Sequence, residues 1–154
     1  KAGAKASFEK SLSLLPTPTA HNELGEMSLA AGNRQQALKH FQVAAQSNSE
    51  VGKRANVSAT RLELPSNPSK YIKTRISQDE EGRIVILVGN QSNVSVKNVR
   101  VAAAFVDAYG KQTSQTQTFR VRGQIEPQKA TVVRTGYENA QGLRAQVQRA
   151  EVVD

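Results

Sequence analysis

The side chains of this chain that could carry chemistry are few, and their spacing does not suit it. His21 and His40 are the only histidines. Neither has a second histidine or a carboxylate at the spacing with which one helical turn presents two ligands to zinc. His21 is expected to pack at a helix interface and His40 to lie on the surface. Asp79-Glu80-Glu81 is the one acidic run, and it precedes Gly82 without the alternating ligand positions of a calcium loop, so it reads as a solvated hairpin turn. No serine stands in a Gly-x-Ser-x-Gly context, and no glycine-rich phosphate cradle occurs. The absence of cysteine removes disulfides, thiolate metal sites and cysteine nucleophiles together. Asn56-Val57-Ser58, Asn90-Gln91-Ser92 and Asn93-Val94-Ser95 match the glycosylation sequon, a short pattern in a chain rich in both residues. The expectation is therefore a segment with no catalytic residue, no metal and no cofactor.

The composition narrows the remaining classes. At 154 residues and 38% hydrophobic content, the chain is long enough for one ordinary domain or two small ones. Its mean hydropathy of −0.51 suits a soluble protein, and no run reaches the roughly 18 apolar residues of a membrane span. The opening "KAGAKASFEK" has no initiator Met and no apolar signal core and already reads as helix, so a piece of a longer protein is expected. The net charge of +8 divides into 8 minus 5, or +3, through Leu64 and 13 minus 8, or +5, after it. Such a surplus favours anionic partners. A nucleic-acid site would interleave basic residues with exposed aromatics, and with 5% aromatics and no Trp no nucleic-acid partner is expected.

Two periodicities divide the chain. Residues 1–64 carry helical spacing, whereas residues 71–154 are rich in Val, Ile and Thr in alternation; Pro65 and Pro68 in the 65–70 stretch mark a linker. Helices followed by strands imply an α+β chain of two domains: an all-α helical repeat and an antiparallel β-sandwich. Leu24, Ser28 and Ala31 share one helix face and Ala37, Phe41, Ala44 and Ala45 another, with Gly32-Asn33 as the turn between them. The spacing recurs 33 residues earlier, where Ala4, Phe8 and Pro16 precede Ala37, Phe41 and Ser49, and Ser11 precedes Ala44.

In Leu24-Gly25, Gly32-Asn33, Ala37, Phe41 and Ala44, preceded by the half-repeat, the segment resembles a tetratricopeptide repeat. It departs from that pattern at His21, Ser28 and Ser49, where Trp, a large aromatic and Pro are preferred. Small residues at Gly25, Ala37 and Ala44 would let two helices approach, with Phe41 filling the gap. Val51, Ala55, Ala59 and Leu62 supply a further helix, read as the cap that closes the array.

In the second half, "YIKTRIS", "RIVILVGN", "VKNVRVAAAFVDA", "QTQTFRVRG", "KATVVRT" and "RAQVQRAEVV" read as strands. Turns are expected at Glu81-Gly82, Gly89-Asn90, Tyr109-Gly110, Glu126-Pro127 and Thr135-Gly136. Alternation would turn Val99, Val101, Ala103, Phe105, Phe119 and Val121 inward and Arg100, Arg120 and Arg122 outward. An Asn-rich loop before a long strand, the Phe105, Asp107 and Gly110 turn and the later Pro127 turn resemble the immunoglobulin-like bacterial domains of the FxLYD kind.

With no catalytic set, the functional candidate is a surface. Asn22, Glu26, Leu29 and Asn33 fall at i, i+4, i+7 and i+11 of the first helix, away from the Leu24 face. In the tetratricopeptide family the first helices line a groove that holds peptides, so the resemblance implies a protein or peptide partner. The reading is a non-catalytic interaction segment of a larger bacterial envelope or periplasmic protein. A structural spacer or assembly module of a secretion or pilus apparatus is the alternative. The combination also resembles the C-terminal region of envelope zinc metallopeptidases that carry such repeats, although their zinc motif has no counterpart here. A binder of anionic surfaces through Arg120 and Arg122 is a third class. Nothing in the pattern sets the oligomeric state.

Overall fold

A computed structural model describes residues 17–154; the expected half-repeat over Ala4, Phe8, Ser11 and Pro16 lies outside the described residues. The protein is α+β, with helices first and antiparallel strands after them. It divides into two compact units between Glu63 and Leu64.

The helical unit contains α1 (Pro18–Ala30), α2 (Arg34–Ala44) and α3 (Glu50–Glu63). Thr17 caps α1 by accepting the Ala20 N–H at 3.0 Å, and Pro18 occupies the first turn, where its missing N–H costs nothing. The helix ends when Gly32 enters the left-handed region at φ 84°. The Gly32 N–H then bonds the Leu29 carbonyl at 3.0 Å and the Asn33 N–H bonds that of Ser28 at 2.8 Å, two otherwise orphaned acceptors. Asn33 at once starts α2, its Oδ1 accepting the Gln36 N–H at 3.1 Å. Ala31, expected on the Leu24 face, terminates the helix and is exposed.

Close approach of α1 and α2 depends on Gly25, since a Cβ there would lie 2.7 Å from the Phe41 ring. Phe41 is 1% exposed and forms one core with Ala37, Ala44, Ala55 and Ala59, against which Leu38, Ala45 and Leu62 pack. Thus α3 lays its predicted face on α2. Gly52 brings the start of α3 against the preceding turn, where a Cβ would sit 1.9 Å from the Ser47 carbonyl oxygen.

The second unit begins at Leu64, which is fully buried rather than part of the helical unit. Its 65–70 stretch, expected as a linker, belongs to the same unit: the 3₁₀ turn Pro68–Lys70 packs against β1 and β6. Six strands follow, β1 (Ile72–Gln78), β2 (Ile84–Asn90), β3 (Val96–Phe105), β4 (Gln117–Arg120), β5 (Ala130–Arg134) and β6 (Leu143–Val152). They form two three-stranded antiparallel sheets, ordered β1-β2-β5 and β4-β3-β6. The Thr74 hydroxyl on β1 donates to the Ala145 carbonyl on β6 at 2.9 Å and links the sheets. Ile84, Val85, Ile86 and Val88 bury most of β2, and Val99, Val101 and Ala103 bury one face of β3.

Gly89-Asn90 is not a turn. Gly89 pairs with both Lys73 and Ala130, so β2 runs on through Asn90 and the chain reverses only afterwards. Asn90 is 1% exposed, and its amide is fully used. Nδ2 donates to the Val94 carbonyl at 2.7 Å and the Ile125 carbonyl at 3.0 Å. Oδ1 accepts the Ser92 N–H at 2.9 Å and the Ser92 hydroxyl at 2.6 Å. The same burial leaves the Asn90 amide of the folded chain inaccessible to a glycan, although Asn90-Gln91-Ser92 matches the sequon.

Replacing Phe41 by Ala should destabilise the helical unit by about 3 kcal/mol through loss of buried contact and the cavity left. Asn90→Ala should cost the second unit about 2 kcal/mol, because it leaves the buried Ser92 N–H unpaired and takes one of two donors from each of the Val94 and Ile125 carbonyls, which keep the Ser92 hydroxyl and the Val96 N–H. Urea unfolding of the full chain, followed by helical circular dichroism and by tyrosine absorbance, checks each. A loss below about 0.5 kcal/mol in either case, the level of a surface change, would contradict the packing described.

Candidate functional site

The four residues expected to form one surface separate in the structure. Glu26 is exposed and Leu29 is 38% exposed, so these two share an accessible part of α1. Asn22 does not join them: it is 8% exposed, and among the described residues its Oδ1 has no hydrogen-bond partner. The reason is the breadth of the buried sector of α1, which includes Ala20, Leu24 and Ser28 and also Asn22 and Gly25. A single-stripe reading through Leu24, Ser28 and Ala31 assigns only two of those five residues. Asn33 is also removed from the helix face. It lies past the C-terminal turn, where it caps α2 and donates from Nδ2 to Gln36 Oε1 at 2.9 Å.

The structure also joins two residues that spacing alone treats separately. His21 Nδ1 and His40 Nδ1 are 3.2 Å apart, with ring centroids 5.5 Å apart and tilted by 37°. His40 is thus half-buried at the α1–α2 contact rather than on the surface. The signal was present in the Gly25–Phe41 contact: His21 precedes Gly25 by one turn and His40 precedes Phe41 directly. At this distance one ring must donate and the other accept, so the pair holds together only while at least one imidazole is neutral. Burial pushes the His21 imidazolium pKa below its ordinary value. Two nitrogens do not make a metal centre, and no group of three or more metal-ligating side chains occurs among the described residues.

The acidic run is absorbed by its turn. Asp79 Oδ1 accepts the Glu81 and Arg83 N–H groups at 3.0 and 2.9 Å, and Oδ2 accepts from Arg83 Nε at 2.7 Å. The Arg83 N–H first, and then its guanidinium and the Glu81 N–H, hold the Asp79 carboxyl below the usual carboxylate value. Oxygens committed to these donors shape a hairpin rather than a cation loop.

The second unit presents a feature that strand patterns do not show. Arg100 of β3 lies in register with Arg120 of β4 on one side and Arg149 of β6 on the other. Sequence alternation placed Arg100, Arg120 and Arg122 outward but gave no means of aligning them, and it left Arg149 unremarked.

Comparison with protein-family models, curated proteins and solved structures found no match to the chain. Among the described residues no helix is long and apolar enough to cross a membrane.

Burial of His21 makes the helical unit sensitive to acid. With its folded-state pKa below the unfolded value of about 6.5, His21 binds protons more readily in the unfolded chain, so stability falls as pH drops below about 6.5 and levels off below the folded pKa. The helical melting temperature should be lower at about pH 5 than at about pH 7.5, and His21→Gln should reduce that difference. A helical transition independent of pH across this range would exclude the linkage.

Proposed function

We propose that this segment is a non-catalytic protein-interaction module: a tetratricopeptide-like helical repeat with its capping helix, followed by an immunoglobulin-like sandwich, in a bacterial envelope protein. The observation that carries the reading is the close contact of Phe41 with Gly25. It brings α1 and α2 together on small residues and leaves Glu26 and Leu29 of α1 accessible. The Gly32-Asn33 junction and the burial of Ala37, Ala44, Ala55 and Ala59 support the same assignment. Two three-stranded antiparallel sheets joined between β1 and β6 support the sandwich.

Recognition by such a module needs no reacting group. An apolar Leu29 beside a charged Glu26 suits a peptide that offers an apolar side chain next to a basic one. Asn22 is buried and takes no part in such a surface, whereas Asn33 is exposed at the edge of it with its side chain engaged in capping α2.

The test is capture of envelope proteins by the immobilised full chain and by a Glu26→Lys, Leu29→Arg variant. Exposed helix positions contribute within about 0.5 kcal/mol to stability, so unfolding should be unchanged while capture of a partner falls by about tenfold or more. Equal capture by both proteins would favour a spacer role for the helices.

A further inference from the structure

The outer face of the β4-β3-β6 sheet concentrates positive charge where a sheet ordinarily disperses it. Arg120, Arg100 and Arg149 occupy one line across three strands, since Arg100 pairs directly with both of the others. Like charges placed directly opposite repel. The register around Arg100 is itself irregular. Between Lys97 and Arg100 β3 advances three residues while β6 advances two, and between Arg100 and Val101 β6 advances two while β3 advances one. A bulge on each strand therefore flanks the Arg100–Arg149 pair, and Asn98 in the first adopts φ 51°. Bulges re-aim side chains and sharpen the local twist.

These residues line a concavity of about 820 Å³ together with Arg122, Asn98 and Glu151. Four arginines against one glutamate leave a local charge of 4 minus 1, or +3. Glu151 is engaged by Asn98 Nδ2 and lies 3.7 Å from Arg149 Nη2. Among the described residues Arg100, Arg120 and Arg122 have no carboxylate partner. Beyond Arg100 the same face of β3 carries only Ala102 and Ala104, whose small side chains leave a second concavity of about 350 Å³ bounded by Thr116, Arg144 and Gln146. The two concavities follow one another along β3, with the arginine line in the first and Arg144 at the second, four residues or roughly 13 Å further along the strand.

The surroundings select among anions. A single carboxylate cannot balance +3, whereas a guanidinium fork matches pairs of phosphate oxygens. Adjacent strands place the arginine backbones roughly 5 Å apart in a row, an arrangement that suits negative charge repeated along a line. Stacking platforms for bases are missing. Phe119 and Phe105 turn to the other side and meet the Tyr137 ring edge-on at 6.1 and 5.1 Å. The exposed apolar side chains of this unit, Tyr109 and Val132, lie in the turn beyond the far end of β3 and on the other sheet, so nothing on this face would enter a bilayer.

We propose that this face binds a linear anion of linked phosphate groups, gripped by Arg100, Arg120 and Arg149 and extending along the alanine floor of β3. The site is independent of the helical recognition surface and stands or falls separately from it.

Titration calorimetry of the full chain at about 0.15 M salt tests it, with tripolyphosphate as the probe. One tripolyphosphate should bind per chain, with inorganic phosphate binding more weakly. Arg100→Gln with Arg149→Gln should weaken binding about tenfold or more, as expected for lost charge-assisted hydrogen bonds. Arg75→Gln with Lys129→Gln removes the same charge elsewhere and should change affinity less than about twofold. Arg100→Lys, which keeps the charge and loses the fork, should fall between the two and guards against a folding defect in the double variant. Equal weakening by the two double variants, or absence of saturable tripolyphosphate binding at about 1 mM, would overturn the proposal. So would tighter arginine-dependent binding of an oligothymidylate or of phosphatidylglycerol vesicles than of tripolyphosphate.

Discussion

The second unit depends on the requirement that a buried amide be fully hydrogen-bonded. Asn90 ends β2 inside the unit, where an unsatisfied polar group would cost more than its bonds return. Satisfying it draws in the turn after β2 through Ser92 and Val94, and the connection between β4 and β5 through Ile125. The Ile125 N–H in turn bonds the Val96 carbonyl at 2.9 Å, which places the start of β3. Gln128, at φ 63°, closes the same region by donating to the Gln91 and Ser92 carbonyls at 3.1 and 3.0 Å. One side chain therefore sets the relation between a strand of one sheet and the first residues of the central strand of the other. Arg100 on β3, the middle of the arginine line across β4, β3 and β6, follows from where that strand starts.

The helical unit meets a different constraint, one of volume rather than of polarity. Phe41 can occupy the α1–α2 contact only because position 25 lacks a Cβ, and α3 can follow closely only because position 52 does as well. Ring and glycines together bring three helices of modest hydrophobic content near enough to share a core made chiefly of alanine. Histidines at 21 and 40 meet as a consequence of that spacing, so a titrating contact lies directly beside the packing that holds the helices together.

Much of this architecture was legible from periodicity. The six strands fall within two or three residues of the alternating segments, and the three helices among the described residues follow the spacing of Leu24, Phe41 and Ala55, because burial of one face is what both patterns encode. Turns with a glycine at positive φ, such as Gly82, Gly110 and Gly136, were equally plain. Gly89-Asn90 misled because the dipeptide suits a turn, yet the Asn90 amide finds better partners inside than water offers outside. The candidate surface was half legible. Glu26 and Leu29 are accessible, but Asn22 is covered because α1 is buried over a broader arc than one stripe, and Asn33 lies beyond the helix whose period was used to place it.

Side-chain alternation states which way Arg100 and Arg120 point, but continued from Val147 it would turn Arg149 inward; the bulge on β6 reverses that, and only register states that the three meet. Register here is set by apolar residues on the opposite face. With Val99 and Val101 inward from β3 and Val147 and Ala150 inward from β6, the bulges on the two strands compensate, and Arg100 then stands opposite Arg149. Val101 opposite Phe119 does the same for Arg100 and Arg120 across the β3–β4 pair. Removing the repulsion within the row by slipping one strand would turn valines out to water, a far larger loss than exposed like charges impose in a high dielectric. Core packing on one side of the sheet thus holds three mutually repelling guanidinium groups together on the other. Such a preorganised cationic row spends no further conformational freedom of the backbone when an anion neutralises it.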